Sequence, residues 1–303
     1  METLDYIPET ERSCVALGFF DGIHTAHAAV INAAFAGNGE RIVLSVGAKA
    51  QAGGAILTKE ETAYQLGLLG AQLHLTPDFA QIKDMSGEAF VDEILVGRLH
   101  AARVACGFNY RFGAGACCGA DELAAMCAAG GIECVVVPPV MCAGETVSST
   151  AIRRALSEGE TALAGRLLGR RYGYTLQVVD GQHLGRRLGT PTINQEMPEG
   201  LLLPRFGVYA SVTCANGRWH SSVTNIGVRP TVGAPAPISE TWLHSFSGDL
   251  YGENIRVELV DFIRPETRFS SIDELRMQIV RDGETAVSIT ENLVNTMNSG
   301  ENI

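Results

Sequence analysis

From residue 14 to about residue 140, short apolar runs alternate with amphipathic ones. CVALGFF, RIVLSVG, AQLHLTP, ARVACG and ECVVVPPV are brief and apolar through their centres, the pattern of strands covered on both faces. Between them, ETAYQLGLLG, EAFVDEILVGRL and ADELAAMCAAG repeat their apolar residues at three- and four-residue spacing, which predicts helices. Strand–helix alternation of this kind predicts a parallel sheet with right-handed crossovers, in which ligands bind at the carboxyl ends of the strands.

The pattern changes after Gly169. YTLQVVDG alternates along one face, GVYASVTCANGRWHSSVTNIGV predicts two strands about an Asn216-Gly217 turn, and ISETWLHSF and ENIRVELVDFI continue without helices between them. This predicts a small antiparallel barrel or sandwich. The chain then ends in a long helix whose Ser271 and Glu274 are spaced as a capping box. SSTAIRRALSEGE and TALAGRLLGR predict a helical pair at the junction. The expected division is residues 1–158, a connection at 159–169, and residues 170–303.

Composition narrows the function classes. A chain of 303 residues has room for two ordinary domains, and 46% apolar residues with 34 glycines suit a globular protein. No apolar run approaches the roughly 18 residues that span a bilayer. METLDYIPETERSCV carries no basic region followed by an apolar stretch, so a cytoplasmic setting is expected. The net charge of −11, with no basic stripe, argues against nucleic-acid and membrane partners. Of eight cysteines, six fall between Cys106 and Cys142 without a CxxC or an intervening histidine, which reads as reduced thiols rather than a zinc site.

Two stretches carry phosphate chemistry in their residue types. In GFFDGIHTAH an Asp-Gly break separates a strand from a helix start, where unpaired amides and the helix dipole favour an anion. His24 and His27 sit at i and i+3, so both rings leave the same side of the first turn. They are either a solvated helix face or a pair that stabilises charge developing at phosphorus. In TVSSTAIRRAL one of Ser148, Ser149 and Thr150 caps a helix, and the remaining hydroxyls with Arg153 could grip a polyphosphate. By strand order this segment opens on the same sheet edge as His24.

In the second half, GQHLGRRLGTPTIN concentrates glycines, basic residues and a Thr-Pro-Thr turn without being a Walker loop. Glycines let amides approach phosphates closely, and the Thr192 hydroxyl could ligate a divalent cation. Glu240 lies in a strand among Trp242 and Phe246, either paired structurally or poised as a general base.

Taken in order, GFFDGIHTAH, GFNYRFG (107–113) and VSSTAIR (147–153) resemble the adenylyltransferase module of bacterial bifunctional riboflavin kinase/FAD synthetases, an HxGH-type nucleotidyltransferase. The PTIN segment, FGVYA (206–210), TNIGVRPTV and SETWLHSFSGDLYG resemble the riboflavin kinase module of the same family. The chain departs from that pattern at Ala26, where the family has Gly. It also reads LSVGAKAQAGGAI where the family carries an FxPHP-like segment. The resemblance implies a Rossmann-like parallel-sheet domain followed by a six-stranded antiparallel barrel with a C-terminal helix.

It further implies that His24 and His27 contact ATP phosphates, together with Gly18, Phe20, Asp21 and Gly22. Ser149, Thr150 and Arg153 would close over the triphosphate, and Asn109 and Arg111 would face the flavin. In the kinase module, Gly185 and Gly189 would cradle phosphates, Thr192 would hold Mg²⁺ (Mn²⁺ being the alternative) with Asn194 as its partner, and Glu240 would act as base. The expected substrates are riboflavin, FMN and ATP, the products FMN and FAD, and the expected state a monomer or weak homo-oligomer. A riboflavin kinase with a degenerate first module and a non-catalytic flavin- or nucleotide-binding regulator remain as alternatives.

Overall fold

A computed structural model of the chain describes residues 1–46, 53–180, 191–229 and 236–300. They form two compact units, Met1–Ser149 and Thr150–Ile303. Among the described residues no helix is long and apolar enough to cross a membrane.

The first unit is built on a six-stranded sheet: β1 (Glu2–Leu4), β2 (Ser13–Gly18), β3 (Glu40–Ser45), β4 (Leu73–Leu75), β5 (Ala101–Gly107) and β6 (Glu133–Val137). Their order is β1-β4-β3-β2-β5-β6 and every pairing is parallel. The helices are α1 (Thr25–Phe35), α2 (Lys59–Leu68), α3 (Gly87–Ala89, continuing as a π-helical stretch over Phe90–Arg98) and α4 (Ala120–Ala129). Leu99 N–H reaches Ile94 O, five residues back, where the π-helical stretch ends.

All five apolar runs and all three helical patterns of this half appear as elements. The edge strand β1 does not follow from an apolar pattern; it forms because Glu2–Leu4 lie beside Leu73–Leu75. A short hairpin, β7 (Met141–Cys142) and β8 (Glu145–Thr146), follows Pro138 and Pro139, which end β6. Strand order reverses between β3 and β5 on either side of β2. The loops leaving β2 and β5 therefore diverge and open a crevice at the carboxyl edge.

The second unit begins in the helical pair α5 (Ser149–Glu158) and α6 (Thr161–Leu168). Ala164, Leu167 and Leu168 of α6 are buried, and the Thr161 hydroxyl donates to Val260 O. Six antiparallel strands follow: β9 (Gly173–Gln177), β10 (Thr192–Glu196), β11 (Gly207–Ala215), β12 (Arg218–Arg229), β13 (Ala236–Leu243) and β14 (Asn254–Arg264), in the order β10-β13-β12-β11-β14-β9. The two edges meet: Val179 N–H donates to Asn194 O at 2.8 Å, and Gln195 Nε2 donates to Leu176 O and Ile255 O. The sheet is a nearly closed barrel rather than a sandwich. Asn216 and Gly217 both have positive φ (50° and 73°), the turn that matches strand twist.

Inside the barrel the alternating positions carry hydroxyls as well as aliphatics. Tyr174 OH donates to Ser239 Oγ, Ser211 contacts Ser222 and Thr224, Thr213 contacts Ser222, and Thr224 contacts Thr241, all between 2.7 and 2.9 Å. Each such group left unpaired would cost about 1–3 kcal/mol, so the partners come as a set. The outer face is covered by α7 (Ile272–Ser299), where Ala286 packs on Val208, Ala210 and Val223. A bidentate Arg264–Asp282 pair holds that helix to β14. Ser271 caps α7 through Glu274 N–H, but Glu274 reaches back to Ser270 N–H rather than to Ser271, a capping box displaced by one residue.

One buried histidine makes the first unit sensitive to acid. His74 on β4 bonds Ser45 on β3 at 2.8 Å, and burial lowers its pKa from the usual 6.5 to about 4. Between those values the unfolded chain binds the extra proton, so stability is full above pH 6.5 and falls as pH drops toward 4. The loss is on the order of 3 kcal/mol at the acid end. Acid titration followed by circular dichroism is expected to show a shallower pH slope in His74→Leu than in the parent.

Candidate functional site

The loop after β2 is wound tightly: Phe20, Gly22 and Ile23 all adopt positive φ (41°, 89° and 42°). Non-glycine residues hold that conformation only where surrounding contacts fix it. Here Phe20 and Ile23 are buried, and Asp21 Oδ1 accepts from Ile56 N–H at 2.9 Å. The ring of Phe20 also fills the space a side chain at Gly18 would need. Asp21 O accepts from Ser149 Oγ at 2.8 Å, so the VSSTAIR segment does reach the sheet edge that carries His24.

His24 is the N-cap of α1. Its Nδ1 accepts from His27 N–H at 3.2 Å, which leaves the proton of a neutral imidazole on Nε2. The His27 ring stacks on it with centroids 3.5 Å apart and planes 13° from parallel. Burial first, and the neighbouring His24 second, hold the His27 pKa well below the usual 6.5. His27 therefore contributes a neutral dipole at pH 7, and its buried Nδ1 has no hydrogen-bond partner among the described residues. The shared face that i, i+3 spacing predicts is realised as a stack built on a cap.

At the end of β5, Asn109 is exposed in a turn closed by Tyr110 N–H donating to Gly107 O. Arg111 is exposed too, but its guanidinium lies against Gly119 and the Glu122 carboxylate, where α4 begins. Thr150 is exposed and Arg153 half-buried in the first turns of α5, within the second unit.

In the barrel, Thr192 and Asn194 stand on β10, a strand rather than a turn. The register places Asn194 opposite Glu240 on β13, and Glu240 opposite Asn225 on β12, one row across three strands. Residues facing each other this way have Cβ atoms about 5 Å apart on one face. Glu240 is half-buried, and Trp242 beyond it presses on Gly283 of α7. Thr192 and Asn194 also line a cleft of ≈ 320 Å³, whose other wall includes Val178, Phe246, Asp249 and Tyr251. Gly185 and Gly189 lie outside the described residues, as do positions 47–52 of the LSVGAKAQAGGAI segment.

The sequence reading missed Asn225 and the Asp249–Tyr251 wall. The first is placed only by register. The second had a signal in its clustered turn residues, Ser247, Gly248 and Asp249.

His24 caps α1 through its ring nitrogen, and substitution measures what that cap contributes. His24→Ala is expected to lower the stability of the first unit by about 1 kcal/mol in chemical denaturation. His24→Asn, which restores a capping oxygen, is expected to recover most of that loss without restoring an imidazole.

Comparison with known proteins matches both halves. Residues 6–151 fit the FAD synthetase family model and residues 168–290 the riboflavin kinase model. Relatives named bifunctional riboflavin kinase/FMN adenylyltransferase include those of Listeria monocytogenes (34% identical, 88% of this chain and 89% of that one) and Bacillus subtilis (30%, 94% and 95%). The protein of that name in Escherichia coli K12 is 32% identical over 91% of this chain and 92% of its own. A crystal structure of a macrolide-efflux protein from Streptococcus pneumoniae superposes with a TM-score of 0.84 at 27% identity, covering 94% of this chain and 98% of that one. A parallel-sheet unit with a histidine-capped helix at its switch point, followed by a barrel with Thr192, Asn194 and Glu240 on one face, and matched end to end by these relatives, makes this chain a member of the bifunctional riboflavin kinase/FMN adenylyltransferase family.

Proposed function

We propose that the chain phosphorylates riboflavin to FMN in its barrel and adenylylates FMN to FAD in its parallel-sheet unit, consuming one ATP at each step. The row Asn194–Glu240, with Thr192 two residues away beside the cleft, is the observation that carries the kinase assignment. The kinase is assigned to residues 170–303 and the adenylyltransferase to 1–158, with 159–169 between them.

In the kinase, Glu240 accepts the proton of the terminal ribityl hydroxyl as that oxygen attacks the γ-phosphorus of ATP in line. Its partial burial and its place beside Trp242 limit water at the carboxylate. Thr192 and Asn194 present a neutral hydroxyl and amide oxygen to the cleft. Mg²⁺ bound to nucleotide keeps water and phosphate in most of its coordination sites and needs only one or two protein oxygens, so this pair fits it. When bound, the cation neutralises charge on the phosphate oxygens, and Thr192, with Asn194 beside it, would hold it.

In the adenylyltransferase, a phosphate oxygen of FMN attacks the α-phosphorus of ATP and pyrophosphate leaves. The nucleophile is already anionic, so the chain supplies position and dipoles rather than a base. His24 Nε2–H and the α1 N-terminus are set to meet the phosphates, with the neutral His27 ring holding the His24 plane. Asn109 and Arg111, on the loop after β5, are assigned to the flavin side. The setting assigned to the enzyme is the cytoplasm, where its eight cysteines would stay as free thiols.

Glu240→Gln is expected to abolish FMN formation from riboflavin while leaving conversion of supplied FMN to FAD intact. His27→Ala is expected to do the reverse. Flavins resolved by chromatography after incubation with ATP and Mg²⁺ check both; loss of both activities in either variant would contradict two independent centres.

A further inference from the structure

The loop that leaves β5 with Asn109 and Arg111 ends in two adjacent cysteines that neither reaction uses. Phe112 and Cys118 exchange backbone hydrogen bonds, Phe112 N–H to Cys118 O at 3.0 Å and Cys118 N–H to Phe112 O at 3.1 Å. They close a tight turn in which Gly113, Gly115 and Ala116 all have positive φ. Cys117 is exposed, Cys118 is half-buried, and their sulfurs stand 3.6 Å apart. Both sulfurs pack where glycines leave room: a Cβ at Gly113 would sit 3.3 Å from the Cys117 sulfur, and one at Gly87 only 2.6 Å from the Cys118 sulfur.

The other thiols of this half are placed differently. Cys106 and Cys127 are buried in the core, and both hydrogen-bond Cys134, which is packed against the same cluster.

We infer that Cys117 and Cys118 form a reversible vicinal disulfide under peroxide, and that closing it switches off FMN adenylylation while sparing the kinase. Cys117 attacks the peroxide O–O bond, giving a sulfenic acid and water. Cys118 then attacks that sulfur, a second water leaves, and the pair has lost two hydrogens and two electrons. The order of attack follows from exposure: Cys117 is exposed and meets the peroxide first, whereas Cys118 is half-buried with its sulfur 3.6 Å away, placed to resolve the sulfenic acid.

Coupling to function is geometric. The sulfurs must close from 3.6 Å to the roughly 2.05 Å of a disulfide, within a ring that includes the Cys117–Cys118 peptide. That peptide supplies the N–H held by Phe112 O, one residue from Arg111. Twisting it loosens the loop that carries the flavin-side residues. This consequence rests on the function proposed above, whereas the disulfide itself does not.

The test treats the full chain with hydrogen peroxide, then measures both activities and maps thiols by alkylation and peptide mass spectrometry. The expected result is a 117–118 peptide lighter by two hydrogens and closed to alkylation. FAD synthesis should fall about fivefold or more, FMN formation should be unchanged, and dithiothreitol should restore the loss. Cys117→Ser and Cys118→Ser should keep FAD synthesis through the same treatment. A pair that stays alkylatable, an equal loss in both serine variants, or a formed disulfide with FAD synthesis intact would each overturn the proposal. Untreated enzyme that makes no FAD would instead overturn the functional reading beneath it.

Discussion

Side chains on a strand alternate between two faces, and the arrangement of the barrel depends on that constraint. On β13, Ser239 and Thr241 point inward to a hydroxyl network sealed by Tyr174, Thr224 and Ser211, while Glu240 and Trp242 point outward. A one-residue slip would bury a carboxylate and expose the hydroxyls, so the register is strongly fixed. The polar interior thereby does for Glu240 what an apolar one does elsewhere: it sets the face on which the carboxylate meets Asn194 and Asn225. Closure through Gln195, itself an inward residue of β10, holds Thr192 and Asn194 against the cleft.

The parallel-sheet unit solves a different problem. Its central strands β2, β3 and β5 are buried through their middles, so the loops at the carboxyl ends are where ligands meet such a sheet. The strained turn from Phe20 to Ile23 is held by Asp21 and by buried aromatic and aliphatic side chains, and it delivers His24 to the tip of α1. One imidazole then both caps a helix and fixes its own tautomer. Burial first, and the stacked His24 second, keep the His27 ring uncharged beside it.

The two centres also differ in how they meet anions. In the first, backbone and imidazole dipoles are set in place by folding. In the second, as proposed, the neutral oxygens of Thr192 and Asn194 would receive a cation that travels with the nucleotide. Neither needs a basic surface, which reconciles a chain of net charge −11 with two ATP-dependent steps.

Apolar periodicity in the amino-acid sequence was enough to determine β2 to β6 and α2 to α4 of the first half, and turn and capping residues the hairpin at Asn216-Gly217 and the start of the long final helix, because spacing and turn chemistry are local properties. Only the tertiary structure decided that β1 joins the sheet and that Thr192 and Asn194 stand on a strand. It also decided that Glu274 reaches Ser270 rather than Ser271 and that His24 and His27 stack. It alone set Asn225 beside Glu240 and drew Arg111 toward Glu122. These outcomes depend on which distant backbone offers a partner and on how much water burial removes, and no window along the chain contains either quantity.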